Sequence, residues 1–271
     1  MALAVFVLGG AASGKTAVIR ERYIGTLDVY PDGDPKAIPP QDAFSNDHRY
    51  DADDYKTLNP IYTPAAGDEE SIAKFGLPDL GGPSGPKTIE EFRRYPADAQ
   101  AKVEAMIDDL GFDSIEAFAR EIILTDTDTH IHFGGGLTHE LSKFMAAAAF
   151  EGQLEIGPAG GSVVWDATGN TERYSYWIEL ALERGFDVEI IYVTCPLNVA
   201  LRRAAQRTRR VPEHEVRRTH DKAALVADAL ELMAGDHPKN FRITFETVPT
   251  SSPGEETEAS AAGFGEGHGD E

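Results

Sequence analysis

The residues best spaced for chemistry in this chain are Gly9-Gly10-Ala11-Ala12-Ser13-Gly14-Lys15-Thr16, which carry the pattern G-x4-G-K-T of a phosphate-binding loop. Glycines let a backbone turn tightly enough to aim several N–H groups at one phosphate. A lysine after the last glycine reaches the outer phosphates, and the hydroxyl that follows it, on Thr16, suits a magnesium ion. The pattern predicts that Gly9, Gly10, Ala11, Ala12, Ser13, Gly14, Lys15 and Thr16 bind ATP or GTP together with Mg2+. Two elements must position the loop. The apolar run 2–8 reads as a strand, and 16–24 reads as a helix whose N-terminus adds its positive dipole end.

Further charges point to phosphoryl transfer. Asp166 closes the apolar run Val163-Val164-Trp165, so a strand is expected to deliver an acid beside the loop, holding magnesium directly or through water. Seven of the sixteen arginines fall within 202–218, in a chain that is otherwise strongly acidic. Positioned guanidinium groups stabilise the charge that spreads over a phosphoryl group in transit. Helix, Arg-rich turn and helix therefore read as a lid, although Arg217, Arg218 and Arg202 also suit a solvated basic face. An acceptor hydroxyl needs a carboxylate to take its proton. Asp53 and Asp51 are the first candidates and Asp32, Asp34 and Asp54 the next; spacing does not choose among them. Alternation over 125–133 would put Asp126, Asp128, His130 and His132 on one face, a set suited to a transition metal. A solvated edge strand gives the same pattern, and no second ligand-bearing element accompanies it.

Around these residues strands alternate with helices, the mark of an α/β protein with a parallel sheet. Residues 25–47 read as a loop with a short strand at 26–30, and 50–60 as a short helix with acids at its front and Pro60 at its end. A Gly- and Pro-rich surface loop over 61–87 leads to helical patterns at 88–94, 97–110 and 114–124. A helix follows from 137 to about 151, then strand 162–165, helix 172–184 closed by Gly185, and strand 188–194. Pro196 and Pro212 each open a helix, and 241–248 alternates as a last strand. The expected organisation is a core of 1–60 and 136–248, a helical insertion at 61–135, and a disordered acidic tail at 249–271 with six acids and no Lys or Arg. Ligands of such sheets sit at the carboxyl ends of the strands, where the loop, Asp166 and Cys195 all fall.

Composition narrows the partners. With 271 residues, 41% of them hydrophobic, the chain buries a substantial core. A net charge of −21 argues against a broad nucleic-acid or membrane-binding face, so a nucleic-acid partner ranks below a small acceptor. The single Cys195 excludes an internal disulfide and fits a reducing cytosol. The apolar start lacks a basic leader and runs straight into the glycine loop, so no targeting signal is expected and the cytoplasm is the expected compartment.

Taken in order, the motifs resemble those of the zeta-toxin-like P-loop kinases. They are the loop at 9–16, Asp-Ala-Asp-Asp-Tyr-Lys-Thr-Leu-Asn-Pro at 51–60, Thr-His-Glu-Leu-Ser at 138–142, Val-Trp-Asp-Ala-Thr-Gly-Asn at 164–170, Arg-Val-Pro-Glu at 210–213 and Arg-Thr-His at 218–220. The resemblance implies a three-layer P-loop kinase fold with an Arg-rich lid, and ATP- or GTP-dependent phosphorylation of a hydroxyl on a small molecule, nucleotide or sugar nucleotide. By the same resemblance Asp53 matches the general base, and Lys15, Arg207 and Arg210 the phosphate-binding cations, with Arg203 as the alternative to Arg207. Thr168 matches a substrate-contacting threonine, His139 and Ser142 match a segment lining the acceptor pocket, and Asp51 and Asn170 join them. The resemblance also allows an antitoxin-like protein partner. One departure bears on the substrate: kinases of UDP-N-acetylglucosamine carry Glu-Gly-Thr followed by Arg where this chain has Asp166-Ala167-Thr168-Gly169-Asn170. That weighs against a sugar nucleotide and towards nucleoside or polynucleotide 5′-hydroxyls.

Overall fold

A computed structural model describes residues 2–24, 48–62, 76, 85–123, 131–169, 173–206, 211–236 and 243–251. The expected strand at 26–30, Asp32, Asp34, Asp126, Asp128, His130, Asn170, Arg207, Arg210, most of the 61–87 loop and the tail from 252 lie outside these residues. The chain divides into two compact units, one of Met1–Tyr50 with Phe150–Glu271 and the other of Asp51–Ala149.

The first unit is built on a five-stranded parallel sheet of order β2-β3-β1-β4-β5, from β1 (Leu3–Leu8), β2 (His48–Asp51), β3 (Val163–Ala167), β4 (Asp187–Thr194) and β5 (Ile243–Pro249). β1 is central and wholly buried after Leu3, as its unbroken apolar run requires of a strand covered on both faces. In register, Val5 pairs with Val164 and Val7 with Asp166, while Phe6 pairs with Trp165 on the opposite face. On the valine face, Val5, Val7, Val164, Ile191 and Val193 pack against Val18 and Ile19 of helix α1 (Lys15–Ile19). On the other face Phe6 meets Phe150 at 5.7 Å, and Phe150 in turn meets Trp165 and Trp177 at 5.2 and 5.3 Å. The Phe6–Phe150 and Phe150–Trp177 contacts are edge-on, an arrangement that adds roughly 1 kcal/mol each beyond the burial of area.

Helix α1 departs from the regular helix expected over 16–24. After Ile19 it widens into a π-helical turn over Arg20–Ile24. That turn carries Arg22, whose guanidinium pairs with Glu246 of β5 at 2.7 Å, and Tyr23, whose hydroxyl donates to Glu189 of β4 at 2.7 Å. β5 also extends past its expected end. Pro249, read as the start of the tail, is the last residue of the strand, and the amide of Thr250 bonds the carbonyl of Thr194.

In the second unit, α2 (Ala52–Lys56), α3 (Ile89–Phe92), α4 (Ala97–Asp109) and α5 (Ile115–Ile123) precede α6 (Leu137–Ile156), whose final turns from Phe150 belong to the first unit. α6 runs further than the end near Glu151 read from its alanines. The second unit has its own core, with Phe92, Val103, Phe118, Phe133, Leu137 and Leu141 buried together. Helix starts follow side-chain capping: Asp51 accepts from the amide of Asp53 and Thr88 from that of Glu91. The first unit is completed by α7 (Tyr174–Glu183), α8 (Leu197–Gln206) and α9 (Glu213–Asp236). Among the described residues no helix is long and apolar enough to cross a membrane.

Candidate functional site

The glycine loop leaves the carboxyl end of the central strand, where ligands of open α/β sheets bind. It turns back through a Ser13 amide to Gly10 carbonyl bond of 3.2 Å and enters α1 through Gly14 at φ +99°, left-handed backbone that favours glycine. Ala12 is also left-handed, at φ +61°, a conformation that costs a residue with a Cβ about 1 kcal/mol or more. Among the described residues the amides of Ala12, Gly14 and Thr16 have no backbone partner. Lys15 folds over the loop, its Nζ donating to the carbonyls of Gly9 at 2.8 Å and Gly10 at 3.2 Å. The Ser13 hydroxyl is fully buried and has no hydrogen-bond partner among the described residues. An orphaned hydroxyl of this kind costs about 1–3 kcal/mol unless a ligand satisfies it. Unpaired amides, an ammonium over the loop and a partnerless hydroxyl together suit a polyphosphate.

Asp166 lies at the end of β3 on the valine face, the side of the sheet that α1 covers. Its carboxylate is 3% exposed, and Oδ2 accepts from Arg49 of β2 twice, from Nη2 at 2.6 Å and Nε at 3.2 Å. Arg49 went unread in the sequence, because one arginine ahead of a helix carries no pattern. The pairing bears on magnesium. Thr16 opens α1 with an exposed side chain, whereas one oxygen of Asp166 is already held by a guanidinium. The donor set fits an ion that keeps most of its water, as magnesium does. Thr168 follows β3 directly and is half-buried.

Arg203, the alternative phosphate cation, forms a strap. Its Nη2 donates to the Thr250 carbonyl at 2.8 Å and its Nη1 to the Thr250 hydroxyl at 3.1 Å. The Thr250 hydroxyl in turn donates to the Ser13 carbonyl. The end of β5 is thereby tied to the loop, and Thr250, which the sequence placed in the tail, becomes part of the loop's wall.

Within the second unit, the candidates after β2 and on α6 each have partners. Asp51 uses Oδ1 to cap α2 through the Asp53 amide at 2.9 Å. Asp53 is half-exposed, and its Oδ1 accepts from Lys56 Nζ at 2.7 Å; that lysine side chain is only 2% exposed. His139 is held neutral, its pKa lowered to about 4 by burial and then by the Lys56 charge. Burial pushes the Glu140 carboxyl up, but Lys143 at 2.8 Å, His139 and the Gly135 amide outweigh it and bring the group below its ordinary value. The Ser142 hydroxyl is turned to its own helix, donating to the His139 carbonyl at 2.8 Å. His132 is exposed and forms an isolated bridge with Thr88. Among the described residues no group of three or more His, Cys, Asp or Glu side chains could hold a metal.

The first unit thus gathers the loop, Lys15, Thr16, Asp166, Thr168 and Arg203, while the second holds Asp51, Asp53, His139 and Ser142. Compared with known proteins, the chain matches no family model and no curated protein sequence.

Proposed function

We propose that this chain is a kinase of zeta-toxin type, moving the γ-phosphoryl group of ATP or GTP to a hydroxyl of a small molecule, nucleotide or sugar nucleotide. The loop carries this reading. It leaves the carboxyl end of a central parallel strand with Lys15 Nζ 2.8 Å from the Gly9 carbonyl and an acid at the end of the neighbouring strand. Lys15 exchanges its loop carbonyls for the outer phosphates, and the amides of Ala12, Gly14 and Thr16 take phosphate oxygens. Thr16 and Asp166 are the residues that would hold magnesium, Asp166 through water, and the ion would supply neutralisation of phosphate charge. Asp53 accepts the proton of the attacking hydroxyl as its oxygen bonds the γ-phosphorus and the bond to the β-phosphate oxygen breaks. Asp51 is less suited to that step because it caps α2, and the buried Lys56 holds one oxygen of Asp53 in place. In this reading Arg207 and Arg210 are the cations for the transferring group, and His139, Ser142, Thr168 and Asn170 are the acceptor-binding residues that the resemblance implies. A cytoplasmic site of action and an antitoxin-like partner belong to the same reading.

A nucleotide-binding regulator that transfers nothing is the second reading, favoured by Arg203 being bonded to Thr250 and Ser13. Incubation with γ-labelled ATP and a panel of nucleotides, sugar nucleotides and 5′-hydroxyl oligonucleotides separates the two. Label on one acceptor class supports the kinase and identifies the substrate; ATP binding with no labelled acceptor and no label released favours the regulator.

A further inference from the structure

Helix α9 reaches the top of the glycine loop with two consecutive side chains. The Ala11 amide donates to the Thr219 hydroxyl at 3.0 Å, and the Ala11 carbonyl faces His220 Nε2 at 3.0 Å. Both polar groups of one loop residue are therefore gripped from a helix some 208 residues further along the chain. The proton positions follow from chemistry. An amide can only donate, so Thr219 must accept there, and its own proton goes back to the carbonyls of Glu215 at 2.8 Å or Val216 at 3.0 Å. A carbonyl can only accept, so the proton of His220 sits on Nε2. Burial and the Lys15 charge keep the His220 ring below its ordinary pKa, hence neutral with that one proton.

The same contact explains a glycine. A Cβ at Gly10 would lie 2.1 Å from His220 Cδ2, so the ring occupies the space a side chain would need. Around this grip Ala12 packs with Ala200, Leu201 and Ala204 of α8 and Val216 of α9, so the clamp sits on an apolar base.

We propose that Thr219 and His220 are positioning residues of the phosphate loop, fixing the Ala11 peptide so that the amides beyond it are aimed at phosphate before any nucleotide arrives. The inference rests on the loop's reading as a nucleotide site. It divides the loop's amides: that of Ala11 belongs to the protein, and those of Ala12, Gly14 and Thr16 belong to the ligand. It also makes α9, which carries the last two arginines of the Arg-rich segment, part of the nucleotide site.

Two measurements on the full chain test it. Amide hydrogen exchange without nucleotide reads the clamp alone: Thr219→Val, which keeps the shape and removes the hydroxyl, speeds exchange at Ala11 about tenfold and leaves β1 amides unchanged, whereas Thr219→Ser leaves both at the rates of the unaltered chain. Calorimetric titration with ATP reads its purpose. Thr219→Val and His220→Ala each weaken binding about tenfold, while Thr219→Ser and His220→Gln, which restore an acceptor and a donor, stay within about threefold of the unaltered chain. Unchanged Ala11 exchange in Thr219→Val overturns the clamp. Unchanged ATP affinity in both disruptive variants, or equal losses in the conservative ones, overturns its positioning role. Failure of the nucleotide reading is distinct: the unaltered chain then binds no ATP, and Lys15→Ala changes nothing, whatever the exchange experiment returns.

Discussion

Arg49 Nη2 lies 2.6 Å from Asp166 Oδ2, and this pair joins edge strand β2 to the acid at the end of β3 with side chains only 10% and 3% exposed. A buried carboxylate is tolerable because a guanidinium meets it with two hydrogen bonds.

Removing one partner should therefore be costly. Arg49→Met leaves a desolvated carboxylate and is expected to lower stability by about 3–5 kcal/mol, while Arg49→Met with Asp166→Asn recovers most of that loss. Urea denaturation of the three chains decides it. A loss below about 1 kcal/mol in the single variant would mean that the pair contributes little in solution.

Stability should fall in mild acid through His139. The ring takes a proton only near pH 4 when folded, against its ordinary value of 6.5 when unfolded. Between those values the unfolded chain binds the extra proton. The stability from neutral His139 is thus full above pH 6.5 and is lost as pH falls towards 4, by up to about 3 kcal/mol. Lys56 and Lys143 oppose the protonated ring, and Glu140 and Asp53 favour it. Glu140, whose pKa is depressed, adds a separate loss that begins only below its ordinary 4.5. His139→Gln should make the stability profile shallower between pH 6.5 and 4.5, where the lowered His220 still contributes, and leave the steeper fall below it. An unchanged slope would reject the assignment.

Asp53→Asn should bind ATP as the unaltered chain does and lose transfer by at least about 100-fold, since only the acceptor step needs the carboxylate. It should also lower stability by roughly 1 kcal/mol, because the buried Lys56 ammonium loses its ionised partner while half-exposed Asp53 is partly screened. Full turnover in the variant would remove Asp53 as the base.

Arg203 and Thr250 should behave as one unit. Arg203→Met and Thr250→Val are each expected to cost about 1–2 kcal/mol, with the double variant costing about 1 kcal/mol less than their sum. Additive losses in a double-mutant cycle, together with a fall in ATP affinity for Arg203→Met alone, would return the arginine to the phosphates.

Much of the local structure was legible in the chain itself. The unbroken apolar run before the G-x4-G-K-T loop and the acids at the front of the helix after β2 are determined by residue type at fixed short offsets, and the strand and the Asp51 cap appear where expected. What escaped were partners distant in sequence. Arg49 reaches Asp166 across 117 residues, Thr250 reaches Ser13 across 237, and Thr219 reaches Ala11 across 208. Backbone propensity and side-chain periodicity act over a few residues, so the sequence could name the glycine loop and its strand. Which cation meets Asp166, which arginine is tied to β5 and which helix grips Ala11 depend on how the sheet orders its strands. That order follows from burying the valine and aromatic faces of β1 together, a property of the whole fold and of no single segment.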